Sequence, residues 1–81
     1  MNVRVRLFAV ARQLAGRDVL ELELPERSTI ADVRQGLAAE VPDLAPLAAH
    51  MAFAMDSQYV RDDAVVGPGA DVACIPPVSG G

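Results

Sequence analysis

Val72-Ala73-Cys74-Ile75-Pro76-Pro77-Val78-Ser79-Gly80-Gly81 closes the chain, and its character changes in the middle. The first four residues are apolar without alternation, the pattern of a strand covered on both faces. Pro76 and Pro77 then fix φ near −65° and remove two backbone donors in succession. A sheet ladder has to stop at Ile75, and the remainder is expected to leave the fold as a stiff, mostly extended strut. Gly80 and Gly81 carry no Cβ, so the tip of that strut can enter a gap too narrow for other residues. Such a spacer delivers one reactive group, the α-carboxylate of Gly81. The bland alternative is a frayed terminus of small residues. The chain thus divides into a domain over residues 1–75 and an extended tail over residues 76–81.

Upstream, two segments alternate with a period of two. Val3, Val5 and Leu7 point one way and Arg4 and Arg6 the other; Leu20, Leu22 and Leu24 oppose Glu21 and Glu23. Each is a strand with one covered face, and together they form an antiparallel hairpin whose Arg and Glu faces can pair. Phe8 falls on the arginine side, so a large aromatic sits on the less buried face. Between the strands, Val10 to Ala15 reads as a short helical turn stopped by Gly16. Thr29 caps a longer helix, with Asp32 near its positive end. Ile30, Val33, Leu37 and Val41 form its apolar stripe, and Pro42 ends it. Gly36 costs that helix about 1 kcal/mol relative to alanine, a loss that fits a close approach to the sheet.

After a connection over Asp43 to Ala49, Met51 to Met55 alternates large and small residues as a third strand. Asp56-Ser57 turns into a short fourth strand, Gln58-Tyr59-Val60. Gly67-Pro68-Gly69 makes a tight turn before the last strand. A hairpin, a helix and three further strands describe an α+β fold, a mixed sheet covered by one main helix.

Composition narrows the function. With 81 residues there is one domain, and 52% apolar residues supply its core without disulfides. Cys74 is the single cysteine and lies in an apolar run, where it behaves as a small hydrophobe. His50 is the lone histidine, so no metal site is expected. A net charge of −4 argues against nucleic acid and suits docking on a basic protein surface. No apolar run is long enough for a bilayer and the start is not a signal peptide, so a cytoplasmic protein away from membranes is expected. All seven basic residues are arginine.

The hairpin–helix–strands order ending in Pro76-Pro77-Val78-Ser79-Gly80-Gly81 resembles the ubiquitin-like sulfur carriers of β-grasp fold. Within them the match is to the molybdopterin synthase small-subunit type. The resemblance also covers Phe8-Ala9, Leu14-Ala15-Gly16, Thr29-Ile30 and the Gly69-Ala70-Asp71-Val72 turn. It implies that Gly81 is adenylated by an enzyme related to ubiquitin-activating enzymes, using ATP and Mg²⁺, and converted to a thiocarboxylate. The thiocarboxylate would then donate sulfur to a pterin precursor in molybdenum cofactor biosynthesis. Gly80 and Gly81 would carry the chemistry, and Pro76, Pro77, Val78 and Ser79 would thread into partners. Phe8, Tyr59 and Ile75 match the positions of an apolar patch that meets both the synthase large subunit and the activating enzyme. Ile75 departs from the aromatic often found there, and ordinary core is the other reading of Phe8 and Ile75.

On this resemblance the chain is a sulfur donor within an enzyme complex, with the catalytic residues in the large subunit and no tightly bound cofactor of its own. Three other readings compete, the plainest being an interaction domain with an inert tail. Another is a carrier for a different pathway, such as tRNA thiolation, thiamin or cysteine. The third is a ubiquitin-like protein modifier, for which the missing lysines disfavour polymer chains.

Overall fold

The computed structural model describes residues 1–77; the expectations for Val78, Ser79, Gly80 and Gly81 fall outside the described residues. Five strands form one sheet in the order β2-β1-β5-β3-β4. They span Asn2–Leu7 (β1), Val19–Glu23 (β2), Ala52–Met55 (β3), Gln58–Val60 (β4) and Val72–Ile75 (β5). β1 pairs antiparallel with β2 and parallel with β5, and β3 is antiparallel to both β5 and β4. The sheet is therefore mixed, and the helix α2, Ile30–Glu40, crosses it in the β-grasp manner. Two short helices accompany it, α1 over Ala9–Ala15 and α3 over Ala45–Ala48, with a single 3₁₀ turn at Pro42–Leu44. No helix among the described residues is long and apolar enough to cross a membrane.

The alternation read from the sequence decides which face is covered. Val3, Val5, Leu7, Leu20 and Leu22 are buried, and Arg4, Arg6, Glu21 and Glu23 are exposed. The buried set meets Ile30, Val33 and Leu37 of α2, together with Ala11, Leu44, Ala48, Phe53, Val66, Val72 and Cys74. β2 ends at Glu23, one residue short of expectation, yet Leu24 N–H still donates to Met1 O at 2.9 Å. α2 does come close to the sheet at Gly36. A Cβ there would lie 3.2 Å from Leu22 Cδ1, so glycine buys proximity at the cost of helix propensity.

α2 is anchored at its start by two devices. The Asp32 carboxylate accepts from the Thr29 N–H at 2.8 Å, so aspartate fills the role that glutamate has in a capping box. The returning segment after β4 supplies the other. The N–H groups of Ile30 and Ala31 donate to the carbonyls of Ala64 and Asp62, both at 3.0 Å, and Val66 N–H donates to Ser28 O at 2.8 Å. First-turn donors that lack a helical acceptor are thereby satisfied by the fold itself.

β5 differs from the expectation of a strand covered on both faces. Val72 and Cys74 face the core at 0% exposure, but the helices all pack on that side. Ala73 is buried on the opposite face, between the strands that carry Arg6 and Ala54, and Ile75 is only half-buried. An all-apolar central strand arises here because small residues shelter between neighbours, without a second layer above them.

Candidate docking face and tail exit

Register assembles the helix-free face of the sheet. Residues directly opposite each other in a ladder share a face. Arg6 stands opposite Ala73, Ala73 opposite Ala54, and Ala54 opposite Tyr59, which gives one row running across four strands. One step nearer the tail, Ile75 stands opposite Ala52. Phe8 follows β1 with extended backbone, φ −128° and ψ 157°, so it continues on the Arg6 side. The Arg6 guanidinium lies over its ring at 5.7 Å from the centroid, a stacking geometry that favours that orientation.

Phe8, Ile75 and Tyr59, proposed from sequence as one patch, thus lie on one face. Tyr59 is 73% exposed and Phe8 42%, while Ala54 and Ala73 between them are 8% and 7%. With about 4.8 Å between strands, the three strand steps from β1 to β4 put about 14 Å across the sheet between the two aromatics, and Phe8 lies a further two residues along its strand. The result is a low floor of Ala52, Ala54, Ala73 and Ile75 between two aromatic walls. The alanines of the floor were not singled out from the sequence; the alternation of Met51 to Met55 carried the signal, since it puts Ala52 and Ala54 on one side.

Charge is segregated along this face. Arg6 pairs with Asp71 at 2.9 Å, at the end of β5 where the strand begins. Arg4 is opposite Glu21 in register, but the ion pair of the hairpin's arginines among the described residues is the one with Asp71. Phe8, Ile75 and Ala52 lie at the other end, where the chain leaves the sheet. There Pro76 is buried and Pro77 exposed, so the departure falls between the two prolines.

Beneath the floor the core is chemically quiet. The Cys74 thiol donates to Met51 Sδ at 2.9 Å and is fully buried. Burial pushes its pKa up to about 11, against a smaller opposing pull from the Arg34 charge. Protonated and enclosed, it is no nucleophile at neutral pH. His50 is exposed, and among the described residues no three of His, Cys, Asp or Glu stand together as a metal site would need.

The model of the ThiS family matches residues 5–81, from within β1 to the diglycine. The chain belongs to the ThiS family. Two relatives within reach of it are each called "Molybdopterin synthase sulfur carrier subunit". The one from Arabidopsis thaliana is 35% identical over 81 residues, covering all of this chain and 84% of its own. The one from Chlamydomonas reinhardtii is 34% identical over 83 residues and covered fully on both sides. Among solved structures, a putative molybdopterin converting factor subunit 1 from Pyrococcus furiosus superposes with a TM-score of 0.84 at 30% identity, over 96% of this chain and 99% of that one. The small archaeal modifier protein SAMP1 of Haloferax volcanii reaches a TM-score of 0.86 at 21% identity, covering both chains entirely. At that identity SAMP1 speaks for the fold alone.

Proposed function

We propose that this chain is the sulfur-carrier subunit of a molybdopterin synthase, loaded at Gly81 and docked through the face of Phe8, Ile75 and Tyr59. The observation that carries the reading is full-length similarity to relatives of that name, in a chain whose last strand runs into Pro-Pro-Val-Ser-Gly-Gly.

The chemistry follows from the state of a terminal carboxylate. Its pKa lies near 3.5, so at neutral pH it is an anion that resists nucleophiles. Adenylation removes that resistance. A carboxylate oxygen attacks the α-phosphorus of ATP, pyrophosphate leaves, and a mixed anhydride forms on an activating enzyme that holds the ATP and Mg²⁺. A sulfur nucleophile then displaces AMP and leaves a thiocarboxylate on Gly81. In the large subunit, that sulfur passes to the pterin precursor. Gly80 and Gly81 fit this role because a tip without side chains can reach a buried reaction centre. Val78, Ser79 and the two prolines serve as its stem. The need for ATP supports a cytoplasmic setting for the activation step.

Intact mass tests the reading. The protein is incubated with its activating enzyme, ATP, Mg²⁺ and a sulfide source. A gain equal to the difference between sulfur and oxygen, lost when Gly81 is deleted, is the expected result. An unchanged mass, with the enzyme shown active on another carrier, would overturn it.

A further inference from the structure

We infer that Arg6 is a positioning residue for docking: held by Asp71, it fixes the ring of Phe8 in the orientation that the synthase large subunit meets. The inference rests on the docking reading above and deepens it. Two charged residues outside the aromatic patch are given the task of preparing one of its walls.

The backbone around Phe8 leaves one freedom open. Leu7 N–H donates to Asp18 O at 2.8 Å, and Phe8 O accepts from the N–H groups of Ala11 and Arg12 at 3.1 and 3.4 Å. Ala9 takes φ 51°, a left-handed conformation that is unfavourable for a residue with a Cβ, and the chain turns at once into α1. With β1 on one side and α1 on the other, the direction of the Phe8 side chain from the backbone is set. The ring is 42% exposed, so its own torsions are what remains to be fixed.

Register decides that Arg6 does this. Across the hairpin Arg4 stands opposite Glu21, but Arg6 stands opposite Val19, which offers no charge. On its other side is β5, and Asp71 immediately precedes that strand. Arg6 Nη2 donates to Asp71 Oδ2 at 2.9 Å, while the same guanidinium lies over the Phe8 ring at 5.7 Å from its centroid. A planar cation held by a carboxylate is thus also laid against the ring, where attraction to the π-face restrains the ring's rotation.

Asp71 is anchored in turn. Asp56 N–H donates to Asp71 O at 2.9 Å, and the Asp56 carboxylate accepts from Asp71 N–H at 3.2 Å. Asp56 lies between β3 and β4, three residues before Tyr59. A single line of contacts, Asp56 to Asp71 to Arg6 to Phe8, therefore runs from the hairpin that carries one aromatic wall to the other wall.

Folding alone gives little reason for the Arg6–Asp71 pair. Its side chains are 49% and 48% exposed, and water screens pairs of this kind until they add little to stability. Its effect falls on the ring. An aromatic already held in place loses less freedom when a partner closes over it, and the complex is tighter by that amount.

A double-mutant cycle tests this, read by calorimetric titration with the synthase large subunit. Wild type, Arg6→Ala, Asp71→Asn, Phe8→Ala and the double variant Arg6→Ala/Phe8→Ala are compared. Arg6→Ala and Asp71→Asn should melt within about 2 °C of wild type. Each should weaken the complex by about three- to tenfold, the effect of freeing one side chain. Arg6→Ala should have no further effect once Phe8 is alanine. In the free protein, nuclear Overhauser contacts between the Arg6 side chain and the Phe8 ring should be present in wild type and weakened in Asp71→Asn, a change that altered stability would not produce. If Arg6→Ala weakens binding by the same factor with and without the Phe8 ring, Arg6 meets the partner directly, and the inference is overturned while docking stands. Unchanged affinity in Arg6→Ala and Asp71→Asn, beside a weakened Phe8→Ala, overturns it equally. Full affinity in Phe8→Ala would remove the docking reading, and the inference with it.

Discussion

Arg34 grips Asp62 with two nitrogens, Nη2 to Oδ1 at 2.6 Å and Nε to Oδ2 at 3.3 Å. The same guanidinium donates through Nη1 to the carbonyls of Ala48 and, at 2.7 Å, of Met51. It also lies over the buried Phe53 ring at 5.0 Å from the centroid. One side chain of α2 thereby ties down the end of α3, the entry to β3 and the segment that caps α2. A lysine cannot reproduce this, because the planar fork addresses a carboxylate and two carbonyls at once.

Arg34→Ala should therefore destabilise the fold by about 2–3 kcal/mol, since it takes a charged donor from two carbonyls and a carboxylate at once. Arg34→Lys should recover less than half of that. Urea denaturation would measure both, and in a domain of this size the alanine variant should melt about 10–20 °C lower. A loss no larger than that of an exposed arginine such as Arg17→Ala would show that the network contributes little.

Asp56 and Ser57 form the two-residue turn between β3 and β4, with φ of 52° and 71°. Positive φ at both positions is the type I′ geometry, which suits the twist of a hairpin but strains any residue with a Cβ. Asp56 has a second task, because its N–H donates to Asp71 O at 2.9 Å and its carboxylate accepts from Asp71 N–H at 3.2 Å. Ser57 makes no such bond among the described residues. Ser57→Gly should stabilise the protein by about 0.5–1 kcal/mol, read as a rise in melting temperature of a few degrees. Asp56→Gly should gain less, or lose stability, because it gives up the carboxylate that accepts from Asp71 N–H.

Much of this architecture was legible beforehand because it depends on period. Alternation over Val3 to Leu7 and Leu20 to Leu24 determined which face was buried, and the spacing of Ile30, Val33 and Leu37 set the helix against it. Phe8 could be assigned to the open face by parity alone. The Arg34 network was not legible, since its partners lie 14 to 28 residues away and nothing local marks an arginine as a staple. Nor was the sheltering of Ala73, which depends on what stands on either side of a central strand. Period reports a residue's own face; it carries no information about its neighbours across the sheet.

Cys74 supplies a pH dependence whose sign is fixed by its environment. Its pKa is raised from 9.0 to about 11 by burial, so between those values the folded protein holds a proton that the unfolded chain has released. The contribution is complete below pH 9 and is lost as pH rises toward 11, amounting to something on the order of 2 kcal/mol. Wild type should lose more stability between pH 8 and pH 10.5 than Cys74→Ala does, as followed by urea unfolding at each pH. Parallel pH profiles for the two proteins would mean that the thiol does not titrate in the unfolded chain alone. In native protein at pH 8, a thiol reagent should react only at the rate of unfolding.

The docking face can be probed without touching the core. Tyr59 is 73% exposed on an edge strand, so Tyr59→Asp should leave the melting temperature within about 2 °C of wild type. In an interface, a buried aromatic of this kind is the sort of anchor whose loss costs about 2 kcal/mol or more, and placing a carboxylate against an apolar partner adds a desolvation cost. Calorimetric titration with the synthase large subunit should thus show at least a ~30-fold weaker complex. Arg4→Asp, on the same face but toward the charged end of β5, should change affinity far less. Equal effects from the two substitutions would point to general electrostatics as the source of binding, and would remove Phe8, Ile75 and Tyr59 from the interface.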